Sequence, residues 1–371
     1  MRGFLPFLAL LATACGNPTI SPVFHDEGRP ALLSDWGMMS TRDGMLRLSD
    51  GVEPFDLNSP LFTDYAGKLR TVWMPEGATA RYREGDVLDF PVGTVITKTF
   101  YYPVDGAGNV LRGDGGVMVF TRPETLDLDR VQLIETRLLI HRTDGWIALP
   151  YVWNEDESEA RLMRAGHSLT LSLADPDGAY SDINYLVPNV NQCAGCHAIN
   201  NTTREISPIG PAARHLNRNY VYADGVENQL AHFIAEGYLE DMPDMPEIPR
   251  AAVWNNPDLP LNARARAYLD INCAHCHNPA GPADTSGLHL NIDAPHGPNL
   301  GVCKPPIAAG PGSGGRQVDI VPGHPDESIF IYRMDSTRAD VMMPELGRSL
   351  THNEGVSLIE AWIAAMGDGC S

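Results

Sequence analysis

The chain is short of positive charge, of cysteine and of long apolar runs, and each shortage excludes something. Its 27 Lys+Arg stand against 47 Asp+Glu, a formal charge of -20. Nucleic acid and anionic lipid both need a basic footprint, so neither is expected as the main partner. Acidity of this kind serves solubility first, with steering of a basic partner as the functional alternative. No stretch beyond the first fifteen residues has the roughly 20 apolar residues of a membrane helix. What remains, 371 residues with 43% hydrophobic and 20% charged content, reads as a folded chain of two or three domains.

Residues 1–15 read as an export signal. Arg2 gives the positive start, Phe4 to Ala12 a short apolar core, and the small Thr13 and Ala14 precede Cys15. Cys15 is therefore the expected lipidated N-terminus; ordinary cleavage nearby would give a free product. The expected location is the periplasmic side of a bacterial envelope, with membrane contact through the lipid anchor only.

The other six cysteines sort themselves. Cys193-Ala-Gly-Cys196-His197 and Cys273-Ala-His-Cys276-His277 are two CxxCH motifs. In such a motif the thiols add to haem vinyl groups and the histidine binds the iron from one side. Random order would supply on the order of 0.004 such pentads in this composition, so two copies are not chance. A four-thiolate zinc site is the rival, but 76 residues lie between Cys196 and Cys273, far beyond the ~15–20 of a zinc ribbon. A thioredoxin-like pair does not call for the trailing histidine. The motifs thus imply two covalently bound haem c groups, held by Cys193, Cys196, Cys273 and Cys276, with His197 and His277 on the irons. Cys303 and Cys370 remain, and in an oxidising compartment are expected to form a disulfide.

Each iron then needs a sixth ligand. For the second, Met343 in Val-Met-Met-Pro-Glu-Leu is expected, with Met342 its close competitor; a thioether favours ferrous iron. For the first, Met242 and Met245 in Asp-Met-Pro-Asp-Met-Pro are candidates, His215 and His232 alternatives, and an open iron a further possibility. Arg204, Arg214 and Arg218 follow the first motif and are candidate partners for haem propionates. Trp36, Trp73, Trp146, Trp153 and Trp254 are expected as core or interface anchors, and the acidic run Glu155 to Glu159 as a solvated loop.

The expected fold is multidomain α+β. Residues 16–60, rich in Pro, Gly and Asp, read as a tether and irregular lead-in. Residues 61–180 read as an antiparallel β-sandwich-like domain, with strands over Thr94–Tyr102, Val117–Thr121, Val131–Arg142 and Trp146–Trp153, and a turn at Asp144-Gly145. Leu169, Leu171 and Leu173 alternate as a further strand. A mainly helical c-type cytochrome region follows, 181–255 around the first motif and 256–371 around the second. Helices are expected over Val226–Glu236, over Asn262–Asn272 with Asn262 as cap, and over Glu354–Met366 with Thr351 and Glu354 as a capping box. The lead into Cys193 reads as strand and loop.

Phe55-Asp-Leu-Asn-Ser-Pro-Leu-Phe-Thr-Asp-Tyr65, Val187 to His197, Ile209 to Arg218, Arg264 to His277 and Met342-Met-Pro-Glu-Leu-Gly347 together resemble a largely uncharacterised family of bacterial dihaem c-type cytochromes with an N-terminal all-β region. The resemblance implies haem attachment at the four motif cysteines and ligation by His197 and His277. The expected function is electron transfer with other periplasmic or membrane redox proteins. A peroxidase-like dihaem enzyme with an open first iron is the first alternative. A partner- or glycan-binding β-domain with an attached redox module is the second.

Overall fold

The computed structural model describes residues 20–113, 120–122 (backbone), 125–175, 178–307, 309–367 and 369–370. The expected export signal with Cys15 and residues 117–119 of one expected strand lie outside them. The chain is α+β. Its N-terminal half forms mostly antiparallel sheets and its C-terminal part carries several helices.

The strands of the first half are β1 (Met39–Arg42), β2 (Met45–Leu48), β3 (Glu53–Phe55), β4 (Gly67–Trp73), β5 (Ala80–Arg81), β6 (Val95–Pro103), β7 (Val110–Leu111), β8 (Phe120–Arg122), β9 (Thr125–Asp127), β10 (Val131–Arg142), β11 (Gly145–Trp153), β12 (Ala160–Leu162), β13 (His167–Ala174) and β14 (Tyr180–Val187). There follow α1 (Val190–His197), α2 (Ala213–Leu216), the hairpin β15 (Asn219–Tyr222) and β16 (Gly225–Asn228), α3 (Gln229–Ala235), β17 (Leu239–Glu240), α4 (Leu261–Asn272), α5 (Ile329–Met334) and α6 (Asn353–Ala364).

The largest sheet has the order β12-β11-β10-β6-β4-β3. Successive side chains of a strand point to opposite faces. On one face Leu69, Val95, Leu138, Leu149 and Tyr151 join Trp36 and Met38 in the main core. The Trp36 indole donates to the Tyr151 hydroxyl at 2.7 Å. β10 and β11 pair Arg142 with Gly145, so the turn tip is Thr143-Asp144, one residue ahead of the expected position. Asp26 sets it, accepting the Thr143 N–H at 3.0 Å and its hydroxyl at 2.9 Å.

The lead-in is more ordered than its composition suggests. Residues 33–55 hold β1, β2 and β3 and bury Trp36, Met38 and Leu46. Strands of three or four residues show no period to read, which is why this stretch looks irregular in sequence.

Residues 58–65 then staple the sheets to the helical part. The Asn58 amide donates to the Arg214 and Asn217 carbonyls at 3.0 and 3.3 Å. The Ser59 hydroxyl donates to the Ala252 carbonyl at 2.7 Å and accepts the Trp254 N–H at 3.0 Å. The Phe62 N–H donates to Asn272 at 2.9 Å. The Asp64 carboxylate accepts the N–H groups of Ser349 and Leu350, both at 2.7 Å, and the Tyr65 hydroxyl donates to Glu354 at 2.8 Å.

The helices depart from expectation mainly at their caps. α4 begins one residue earlier than expected, after Pro260, and Asn262 inside it accepts the Trp362 indole N–H at 2.9 Å. α6 has no side-chain cap; Thr351 donates to the Asp335 carbonyl and Glu354 takes Tyr65 and Arg112 instead. Tertiary partners have outbid the local capping box. α6 buries Ile359, Trp362 and Ile363 and crosses α4 where Gly355 faces Tyr268; a methyl at 355 would collide with the tyrosine hydroxyl. The expected helix at 226–236 shrinks to α3, because Gly225–Asn228 pairs with β15.

In the acidic loop Glu157 is half-buried and accepts the Leu133 N–H at 2.6 Å. Burial pushes its carboxyl up to about 7. The folded state therefore binds more protons than the unfolded chain between about pH 4.5 and 7, and stability falls as pH rises through that window. Glu157→Gln keeps the acceptor without the charge. We expect its urea midpoint to match the wild type near pH 5 and to exceed it at pH 8. A variant less stable at pH 8 would contradict this.

Candidate functional site

β14 leads through Pro188 to Asn189, which caps α1. The Asn189 side chain accepts the N–H groups of Asn191 and Gln192 at 3.0 and 2.9 Å, and Gln192 accepts the Asn189 N–H at 3.0 Å. The lead into Cys193 is strand and loop as expected up to Asn189, but its last three residues and the motif itself are helical. The Asn189/Gln192 capping box was the readable signal. Positions i, i+3 and i+4 put Cys193, Cys196 and His197 on one helix face.

At the second motif α4 ends on Cys273. The N–H groups of Cys276 and His277 both turn back to the Cys273 carbonyl, at 3.1 and 2.9 Å. This again gathers the two thiols and the imidazole.

Both histidines are held in the same way. His197 Nδ1 lies 2.9 Å from the Ser207 carbonyl, to which it donates. His277 Nδ1 lies 3.1 Å from the Ser286 hydroxyl, whose own proton goes to the Ala283 carbonyl at 2.7 Å. Ser286 therefore accepts from Nδ1–H. In each ring the proton sits on Nδ1 and the Nε2 lone pair is left for a metal. Burial holds both imidazoles down to about 4, and so neutral; nearby cations add to this, Lys98 at His197, and Arg333 and Lys304 at His277.

The four motif cysteines are free thiols. Burial pushes Cys273 and Cys276 up to about 12 and raises Cys193 and Cys196 as well. Among the described residues no group of three or more His, Cys, Asp or Glu side chains converges as a metal cage. Paired thiols beside an Nε2-directed imidazole fit a haem c at each motif.

The two motifs meet. The Cys276 thiol lies 3.6 Å from the Gly195 carbonyl, and the Asn201 N–H donates to the Ala280 carbonyl at 2.7 Å. Leu346 seals the junction: a methyl on Gly195 would press into it.

Met343 lies in the loop that supplies Leu346. Its N–H donates to the Arg333 carbonyl at 3.0 Å and its carbonyl accepts from Arg348 at 2.9 Å. The Arg333 charge also acts on His277. Met342 is buried, whereas Met343 is half-buried. Met242 and Met245 pack against the cluster of Leu88, Leu239 and Ile248. The groups whose charges act on His197 are Lys98, His275 and Arg137. His215 is engaged at both ring nitrogens, by Asp270 at 3.2 Å and the Ala212 N–H at 3.3 Å. His232 bonds Glu53 at 3.0 Å and stacks on Tyr222.

Arg214 and Arg218 are likewise spoken for. Arg214 pairs with Asp270 at 3.0 Å and Arg218 with Asp56 at 2.9 Å, while Arg204 is exposed. A residue that sequence reasoning passed over is His275, between the two thiols of the second motif. Its Nδ1 is buried with no hydrogen-bond partner among the described residues. As a filler position of the motif it carries no signal of its own.

Comparison with family models, with curated proteins and with solved structures finds no match. The disulfide Cys303–Cys370 is present, which points to an oxidising, extracytoplasmic compartment. Among the described residues no helix is long and apolar enough to cross a membrane.

Proposed function

We propose that the chain is a dihaem c-type cytochrome that carries electrons among periplasmic or membrane redox proteins of a bacterial envelope. One haem would be held by Cys193, Cys196 and His197, the other by Cys273, Cys276 and His277. When bound, haem iron accepts and releases single electrons. The observation that carries the reading is the contact between the motifs, Cys276 against Gly195, because two carriers anchored this close can exchange electrons directly. The serine-held tautomers support it, since each fixes an imidazole with Nε2 outward. The family resemblance points the same way, and a sandwich-like β-domain then serves as the frame for a helical cytochrome region. Lipidation at Cys15 would tether the protein to the periplasmic face.

A second reading, a dihaem enzyme working at an open first iron, is favoured by one observation: Met242 and Met245 pack with Leu88, Leu239 and Ile248. One experiment separates the two. The purified protein is expected to hold two haems per chain, neither of which binds carbon monoxide when reduced. Met343→Ala is expected to let one haem bind it. Prompt binding by the wild type would put the enzyme reading first.

A further inference from the structure

The face of the six-stranded sheet turned away from Trp36 is apolar towards both ends and charged in the middle. Val72 and Ile96 lie towards one end, Phe100 and Tyr102 towards the other. Between them Arg70 on β4, Lys98 on β6 and Arg137 on β10 stand directly opposite one another across three adjacent strands. Lys68 lies one pleat away, opposite Phe100. The Phe100 ring is approached by Lys68, Lys98 and Arg137 at 5.7, 5.3 and 4.4 Å.

Like charges directly opposite one another destabilise a sheet, and burial adds to the cost. The carboxylates at hand are already committed. Asp56 pairs with Arg70 and with Arg218, both at 2.9 Å. Glu135 pairs with Arg137 and accepts the Tyr185 hydroxyl at 2.8 Å. Lys68 is 7% exposed, and its ammonium donates to the Ala66 carbonyl. Among the described residues neither Lys68 nor Lys98 has a carboxylate partner. Burial, with Arg70 and Arg137 nearby, holds Lys98 down to about 7, as expected of a cation short of negative charge.

The sequence makes this placement pointed. The chain has three lysines, Lys68, Lys98 and Lys304, and two of them stand on this one face. The row also faces the first motif. α1 packs on β11 of the same sheet, and the charges of Lys98 and Arg137 act on Cys196 and His197.

We propose that this row is a carboxylate site in which Lys68 and Lys98, beside Arg137, receive the propionate groups of the haem held by the first motif. The inference rests on the dihaem reading. A haem brings two carboxylates, one for each unpaired lysine, and its apolar ring suits the apolar ends of the face. The β-domain is then a wall of the first haem site, and its lysines favour the ferrous state by placing positive charge near the iron.

In the dihaem protein, Lys98→Met and Lys68→Met are each expected to shift the ferrous/ferric equilibrium of one haem about tenfold towards ferric, ~59 mV for one electron. The other haem stays where it was. Redox-difference infrared spectra read the propionates directly. Their carboxylate bands should move in the same variants, and Lys98→Arg should keep both signals at wild-type positions. Unchanged potentials and bands in both methionine variants, with two haems still bound, would overturn the proposal. So would saturable binding of succinate or phosphate to the wild-type holoprotein with a shift in that haem's potential, because the row would then take a free anion. Fewer than two haems in the wild type would instead overturn the dihaem reading.

Discussion

Replacing both Cys273 and Cys276 by alanine is expected to lower the covalent haem content from two per chain to one, read as the loss of one haem from the intact mass and from the haemochrome absorbance. The two thiols sit at the end of α4, with the backbone of Cys276 and His277 folded back on the Cys273 carbonyl, and the neighbouring Cys196 belongs to the first motif. A protein that still carries two covalent haems would sink the motif assignment. The effect should not stop at the second site. The Cys276 thiol lies against the Gly195 carbonyl of α1, and Leu346 packs on the same glycine. The surviving haem is therefore expected to show a shifted potential.

The double variant Cys303→Ser/Cys370→Ser should be the largest purely structural loss. The bond joins residues 67 apart in sequence, and a cross-link of about that span removes ~4 kcal/mol of unfolded-chain entropy at 25 °C. It ties the loop after the second motif to the segment beyond α6. The urea midpoint of the holoprotein is expected to fall accordingly, with the same loss on reduction of the wild type. A change below about 1 kcal/mol would mean that haem and core already restrict the unfolded chain, and the entropic account would be wrong here.

How much of this was readable beforehand depends on the length over which a pattern repeats. β10 runs over Val131–Arg142, as its alternation says, and β11 and α4 fall within a residue of expectation. Each is long enough to show its period. β1, β2 and β3 are not, and a Pro/Gly-rich stretch hid them. α1 was missed for a different reason: it has eight residues, and its evidence lay in the Asn189/Gln192 cap. The motif cysteines and histidines stand out because a CxxCH pattern assigns each position a chemical duty, and the proposed haem sites rest on that pattern. The cation row does not. Lys68, Lys98 and Arg137 are far apart in sequence and look like the outward positions of three strands. Only the register, which sets Arg70 and Arg137 on either side of Lys98, reveals them as one group. The arginines after the first motif looked better placed for propionates, but Asp270 and Asp56 take Arg214 and Arg218, pairings that no local pattern foretells.

The segment from Asn58 to Tyr65 has a practical consequence for anyone dividing this protein. A cut near residue 188 looks natural, because β14 ends and the helix of the first motif begins there. Yet a fragment starting at that point would lose Asn58 from the Arg214 and Asn217 carbonyls, Ser59 from Ala252, and Asp64 from the Ser349 and Leu350 amides. Its partner fragment would bare a row of side chains made to fit backbone it no longer has. A graft of the half with the two motifs onto another protein has to carry residues 58–65 with it, supplied either in line or as a separate peptide.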